Sequence, residues 1–114
     1  MTLRFGLQNN TIQKISSTFM RYPQVEKALI YGSRAKGDYK NGSDIDLTLI
    51  GGEDLTLNIL YKILEDMDNL LLPYTMDISI FDYIEDPDVI AHIKRVGVLF
   101  YEKTKPIAER APLK

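Results

Sequence analysis

The chain has 114 residues, enough for one domain with a modest hydrophobic core. It carries 14 basic and 16 acidic residues, a net charge of −2, which argues against a general nucleic-acid binder because such proteins present a basic surface. It has no cysteine, so disulfides and thiolate metal sites are excluded, and no apolar run reaches the roughly 20 residues of a membrane span. The N-terminus lacks the apolar core of a signal peptide, so we expect a cytoplasmic protein.

Hydrophobic periodicity and turn signals predict alternating helices and strands. The predicted helices cover residues 9–21, 34–36, 55–70 and 87–96, and the predicted strands cover 25–31, 44–50, 76–81 and 98–101. This order predicts an α/β fold in which a small mixed sheet carries helices mainly on one face. We expect one domain over 1–114, with a loose tail from about residue 103.

The second and third predicted strands alternate between apolar and polar residues. In each strand the apolar residues share one face, which we expect to pack against helices. The polar faces consist of Asp44, Asp46 and Thr48 in the second strand and of Asp77 and Ser79 in the third. Carboxylates are costly to bury in an apolar core, so we expect this side of the sheet to be open.

A Gly-Ser turn precedes the aspartates. Gly32 follows the apolar run that ends at Tyr31, and it allows a tight turn with no Cβ to block a phosphate. Ser33 offers a hydroxyl and a backbone N–H where a short helix begins, a position that favours anions. Asp44 and Asp46 follow on one strand face, and two adjacent carboxylates favour a hard divalent cation such as Mg2+.

Other interpretations of these residues agree less well with the sequence. An isolated Asp-x-Asp is more often a polar strand face than a metal site, but here the Gly-Ser turn precedes it and Asp77 lies in a similar strand. A P-loop would require Lys-Ser/Thr where Asp38-Tyr39 stands, so this motif is rejected. An EF-hand loop would begin at Gly37 and end at Thr48, and neither is an acidic ligand.

The pattern over residues 31–47, together with Asp77, resembles the signature of the DNA polymerase β-type nucleotidyltransferases, and more narrowly that of the minimal nucleotidyltransferases. The resemblance implies that the strands carrying Asp46 and Asp77 are neighbours. It also implies that Asp44, Asp46 and Asp77 are the catalytic carboxylates and bind two Mg2+ ions, with Asp77 assisting deprotonation of the acceptor. The implied reaction transfers a nucleoside monophosphate, AMP from ATP, to a hydroxyl.

The same resemblance assigns the nucleotide contacts. It implies that Gly32 and Ser33 hold the β- and γ-phosphates of ATP or another nucleoside triphosphate. Arg34 is a further candidate for a phosphate contact, and a merely solvated side chain is the equal alternative. Ser43 either orients the aspartate strand or bonds the backbone of its own turn. His92, the only histidine, lies far from the aspartates in sequence, and we interpret it as a structural residue.

Larger members of this superfamily carry a helical domain for the acceptor, and this chain has no room for one. The resemblance therefore implies a partner, in this family a small all-helical protein of the HEPN type. Some such pairs act as toxin and antitoxin, with the transferase modifying its partner with AMP. A non-catalytic module that masks a partner is the rival hypothesis, and the intact carboxylate trio argues against it. Transfer to a small molecule such as an aminoglycoside is less favoured, because no acceptor domain is present.

The chain has more apolar residues than so small a core can bury. The residues concerned are Tyr61, Leu71, Leu72, Tyr74 and the run 98–101. Because exposed apolar area often marks an interface, we expect a homo-oligomer of the isolated chain and a hetero-oligomer as the functional form. The alternative is that the tail covers this surface.

Overall fold

The computed structural model describes residues 3–104. Its helices are α1 (Asn9–Met20), α2 (Ser33–Lys36), α3 (Leu57–Asp68) and α4 (Pro87–Val96), and its strands are β1 (Lys27–Tyr31), β2 (Ile45–Ile50), β3 (Met76–Ile80) and β4 (Val98–Glu102). A 3-10 turn, Phe81–Tyr83, follows β3. Within residues 3–104 no helix is both long enough and apolar enough to cross a bilayer. The loose tail predicted from about residue 103 lies almost wholly outside the described residues.

The four strands form one sheet in the order β3-β2-β1-β4. Strands β2 and β3 run parallel, whereas β1 pairs antiparallel with both β2 and β4. The predicted α/β fold with a mixed sheet is therefore confirmed.

The caps of α3 and α4 explain where these helices begin. Thr56 caps α3, since its hydroxyl accepts the Ile59 backbone N–H at 3.4 Å. The helix predicted over 55–70 would be capped by Asp54, which is wrong, because α3 begins two residues later, at Leu57. Asp86 caps α4 as predicted, and its carboxylate accepts the Asp88 backbone N–H at 2.9 Å. Such caps satisfy N–H groups that have no partner within the helix.

One face of the sheet forms the main core. Helices α1 and α3 contact each other, and the core residues of both join those of the sheet in a single apolar cluster. Ile45, Leu47 and Leu49 of β2 have no solvent-exposed surface, as their alternation predicted. Each fully buried side chain of this size contributes about 1.5–3 kcal/mol through the hydrophobic effect.

The opposite face is only partly open. Helix α4 contacts β1, and Ile93 of α4 is buried although it does not belong to the main core cluster. Thr48 has no exposed surface, and its hydroxyl accepts a hydrogen bond of 3.0 Å from Ser79. The prediction that Thr48 lies on an open face is therefore wrong. Its buried hydroxyl is tolerated because Ser79 supplies the partner that a buried polar group needs.

The predicted surplus of apolar surface is present, but it is smaller than expected. Leu71 is 88% exposed and Tyr61 is 60% exposed, and Val98 and Leu99 also face solvent. The remaining members of the predicted set pack against the core, namely Leu72, Tyr74, Phe100 and Tyr101.

Candidate active site

One rung of the sheet carries three polar side chains. Tyr31 on β1 lies directly opposite Asp46 on β2, and Asp46 lies directly opposite Asp77 on β3. Residues that face each other across neighbouring strands point to the same side of the sheet. Asp44 lies just before β2, two residues from Asp46, and both Asp44 and Asp77 are exposed. The predicted adjacency of Asp46 and Asp77 is therefore confirmed, while their roles remain predictions.

Gly32 fits closely against Asp46. Its φ of +74° and ψ of −155° define a backbone conformation that is essentially restricted to glycine. A Cβ on this residue would lie 2.5 Å from Oδ2 of Asp46, so any side chain would displace the carboxylate. Ser33 follows as the first residue of α2, and the Lys36 backbone N–H donates to the Gly32 carbonyl at 3.1 Å. The Gly-Ser turn and the aspartates thus form one local structure.

The electrostatics of this rung reflect clustered negative charge. Partial burial raises the pKa of Asp46, and the neighbouring carboxylates of Asp77 and Asp44 raise it further. Burial also raises the pKa of Tyr31, as does the charge of Asp77, whereas the nearby Ser79 hydroxyl lowers it. Both shifts reflect partial burial together with the crowding of acidic groups on this rung.

The donor set suits a divalent cation, although it is not preassembled around one. Within residues 3–104 no group of three or more acidic, histidine or cysteine side chains is arranged closely enough to hold a metal ion. Carboxylates repel each other when no cation lies between them, and Asp44 and Asp77 are exposed and have room to turn. Oxygen ligands of this kind are those that Mg2+ prefers, and Gly32 leaves the space beside Asp46 free of a side chain.

Arg34 is committed to the fold. Its side chain is buried, with Nη1 donating to the Phe5 carbonyl at 2.9 Å, and with Nε and Nη2 donating to the Ser43 carbonyl at 3.1 and 2.9 Å. The guanidinium also lies 5.3 Å from the Tyr39 ring centre and 5.0 Å from that of Tyr74. These contacts argue against the predicted phosphate contact, because the guanidinium is enclosed by protein.

Ser43 belongs to the turn that leads into β2. Its hydroxyl accepts the Lys40 backbone N–H at 2.8 Å, which agrees with the turn alternative that the sequence left open. Its carbonyl receives the two hydrogen bonds from Arg34. Ser43 thus fixes the backbone immediately before Asp44, and its side chain is occupied within the turn.

Sequence reasoning missed the position of His92. The His92 and Tyr31 ring centres are 6.3 Å apart with an interplanar angle of 83°, an edge-to-face contact. His92 also lies close enough to Asp46 that protonation of its imidazole would lower the pKa of that carboxyl. The sequence signal was weak: Arg95 follows three residues later on the same helical face, and it contacts the His92 ring.

The aspartates occupy an exposed surface of the sheet. A groove of about 540 Å3 lies elsewhere, between the end of α3 and the start of β3, where Met67, Leu72 and Tyr74 are among its lining residues. The aspartates do not line that groove. Asp44 and Asp77 are exposed outside that groove, and Asp46 between them is half-buried.

Comparisons with known proteins agree with this geometry. The family model described as polymerase beta, nucleotidyltransferase matches residues 13–106. A crystal structure of a toxin–antitoxin with AMP-PNP superposes with a TM-score of 0.65 at 15% identity, covering 81% of this chain and 73% of that one. A mutant of the toxin–antitoxin MntA-HpeT gives a TM-score of 0.61 at 13% identity, covering 85% and 75%. At these identities the likeness concerns the fold alone.

No curated protein matches the chain. The family assignment rests instead on the family model, which spans most of the sequence and includes the Gly-Ser turn and all three aspartates. This protein therefore belongs to the polymerase beta nucleotidyltransferase family.

Proposed function

We propose that this protein is a nucleotidyltransferase subunit that transfers a nucleoside monophosphate, AMP from ATP, to a hydroxyl group in the presence of Mg2+. The observation that carries the proposal is the close fit of Gly32 against Asp46, with Asp77 on the same rung of the sheet. A purely structural sheet face needs neither converging carboxylates nor a glycine that keeps a side chain away from them.

Each residue of the site has a role in this proposal. Asp44 and Asp46 hold divalent cations, and Asp77 completes the ligand set. Gly32 and Ser33 hold the β- and γ-phosphates. Bound divalent cations supply Lewis acidity, which lowers the pKa of the acceptor hydroxyl and neutralises the leaving pyrophosphate.

The chain's own contribution is chiefly positioning. Asp77 is exposed beside Asp46, and in this proposal it accepts the proton of the acceptor hydroxyl. The acceptor oxygen forms a bond to the α-phosphorus, the bond from that phosphorus to the β-bridging oxygen breaks, and pyrophosphate leaves. Phosphoryl transfer needs little covalent chemistry from the protein, so the orientation of the triphosphate and the acceptor carries most of the catalysis.

We also propose that a separate polypeptide supplies the acceptor. The exposure of Asp44 and Asp77 and of the apolar side chains Leu71 and Tyr61 supports a partner. A small all-helical protein of the HEPN type is the proposed partner. The toxin–antitoxin complexes among the structural neighbours motivate the proposal that this chain is the antitoxin of such a pair.

The first experiment tests the site itself. The double variant Asp44→Asn with Asp46→Asn is expected to lose Mg2+-dependent binding of a non-hydrolysable ATP analogue, measured by calorimetry, because the cation ligands are gone. The control is Asp54→Asn with Asp82→Asn, which removes two charges from exposed positions outside the site. Unchanged binding in the Asp44/Asp46 variant would contradict the site assignment.

A second experiment separates catalysis from masking. Pyrophosphate release is measured with the partner present, using each of the four nucleoside triphosphates. We expect the wild type to release pyrophosphate and the Asp44/Asp46 variant to release none. No release from any nucleotide, with both proteins masking the partner equally well, would favour the non-catalytic module.

A further inference from the structure

Helix α4 forms a wall beside the aspartate rung. The rings of His92 and Tyr31 pack edge to face, with a ring-centre distance of 6.3 Å and an interplanar angle of 83°. Tyr31 lies directly opposite Asp46 on the neighbouring strand. The helix therefore brings a fourth polar group, His92, next to the rung from a part of the chain that follows all three aspartates.

Arg95 defines the hydrogen-bonding state of His92. Nη2 of Arg95 lies 3.3 Å from Nδ1 of His92. A guanidinium can only donate, so Nδ1 is the acceptor and the neutral imidazole carries its proton on Nε2. The pair thus offers a ring N–H on His92 and the remaining N–H groups of Arg95 as donors.

These donors are available to a ligand. Arg95 is exposed, and it forms no ion pair with an acidic residue within residues 3–104. Of the basic residues near the Gly-Ser turn, Arg34 binds backbone carbonyls and Lys36 pairs with Asp38 at 3.6 Å, whereas the Lys40 side chain is exposed. A site that binds a triphosphate next to three carboxylates needs positive charge, and Arg95 of α4 is an exposed cation that contacts His92 beside Tyr31.

We propose that His92 and Arg95 bind the polyphosphate of the nucleoside triphosphate from the α4 side of the site. This inference rests on the proposed function, which it deepens by adding the anion-binding residues that Arg34 does not provide. Arg95 contacts a phosphate oxygen directly, as a planar guanidinium does well. His92 donates from Nε2, and its contacts with Tyr31 and Arg95 hold the ring in place.

A structural role predicts different behaviour. Basic residues in the last turn of a helix stabilise its C-terminal end, and in α4 this applies equally to Lys94 and Arg95. Lys94 is also exposed, but it does not share the hydrogen bond to His92. Lys94→Ala is therefore the matched control, because it removes the same charge from the same helical turn.

The test measures binding of a non-hydrolysable ATP analogue and of AMP, each with Mg2+, to the full chain. Arg95→Ala is expected to weaken binding of the triphosphate about tenfold or more, the usual effect of losing a hydrogen bond to a charged group, with AMP affected much less. Arg95→Lys should recover part of the loss. His92→Gln, whose amide nitrogen can replace Nε2, should bind better than His92→Ala. Urea unfolding of each variant confirms that the folded protein is compared.

The outcomes distinguish this inference from the proposed function. The inference is wrong if Arg95→Ala and His92→Ala bind the triphosphate like the wild type. It is also wrong if Lys94→Ala loses as much affinity as Arg95→Ala, because these α4 residues would then have only a structural role. If binding is then still abolished in the Asp44/Asp46 variant, the proposed function stands without it. If the wild type binds no triphosphate at all, both fail.

Discussion

The two faces of β2 differ in how they are determined. On the core face, Leu47 and its neighbours along the strand have no exposed surface, as their alternation predicted. On the other face, Asp44 is exposed and Asp46 is half-buried, whereas Thr48 is fully buried. The same alternation placed all three on one open surface. Periodicity therefore predicts which side chains share a face, and it does not predict what covers that face.

The two faces differ because apolar and polar side chains have different requirements for burial. The hydrophobic effect is non-directional, so any apolar residue on the core face gains from burial against α1 or α3. A polar side chain is buried only where a specific partner meets it, as Ser79 meets Thr48. The two faces should therefore respond differently to substitution, and the predictions below test this difference.

The largest loss of stability is expected from a substitution on the core face. Leu47→Ala should lower the free energy of unfolding by about 2–5 kcal/mol, because it leaves a cavity in a fully buried position. Asp77→Asn, on the exposed face of the neighbouring strand, should change it by less than about 0.5 kcal/mol. Urea denaturation measures both. Similar losses in the two variants would mean that the faces are not energetically distinct.

Much of the site was predictable because its determinants are local. The Gly-Ser turn and the Asp-x-Asp strand are short motifs, and their pairing with Asp77 followed from the family resemblance. The contacts of Arg34 and His92 were not predictable, for a common reason. Arg34 turns inward because Phe5 and Ser43 present carbonyls to it, and His92 reaches the rung because α4 folds back over β1. Neither contact leaves a periodic or spaced signal in the sequence.

Arg34 provides the next test, since it lies beside the site but points away from it. Arg34→Lys keeps the charge and loses the planar fork that binds two carbonyls, so the free energy of unfolding should fall by about 1.5–3 kcal/mol. The dissociation constant of the ATP analogue for the folded protein should change by less than about twofold. Urea denaturation and calorimetry measure the two quantities. If the variant is fully stable but binds the analogue weakly, the result would support the phosphate contact that the sequence suggested for Arg34.

The backbone of Gly32 packs closely against Asp46 on the polar face. Gly32→Ala and Gly42→Ala both place a side chain at positive φ, +74° and +83°, which should cost about 1–3 kcal/mol of stability in each case. Only at Gly32 does the new Cβ meet another residue, Oδ2 of Asp46, whereas the space beside Gly42 is empty within 4 Å. Gly32→Ala should therefore lose Mg2+-dependent binding of the ATP analogue, and Gly42→Ala should retain it. Equal binding by both variants would show that the fit against Asp46 has no functional role.

The smallest effect concerns the pH dependence of stability in a chelating, metal-free buffer. Burial and the charges of Asp77 and Asp44 raise the pKa of Asp46 in the folded protein above its ordinary value of 3.8. Between 3.8 and the raised value, the folded state binds more protons than the unfolded state, so the free energy of unfolding falls as pH rises through this window. Above the window the loss is complete and constant.

Asp46→Asn removes this titration, so its stability relative to the wild type should increase with pH through the same window and then level off. The series of urea midpoints is measured for both proteins from below pH 3.8 to neutral pH. Asp54→Asn, which removes an exposed charge outside the site, corrects for the general effect of one fewer carboxylate. The opposing outcome is that the stability of Asp46→Asn relative to the wild type stays constant or decreases as pH rises. Either result would mean that the polar face does not hold clustered negative charge. The contrast with the core face would then rest on burial alone, since Leu47→Ala should change stability by the same amount at every pH in the series.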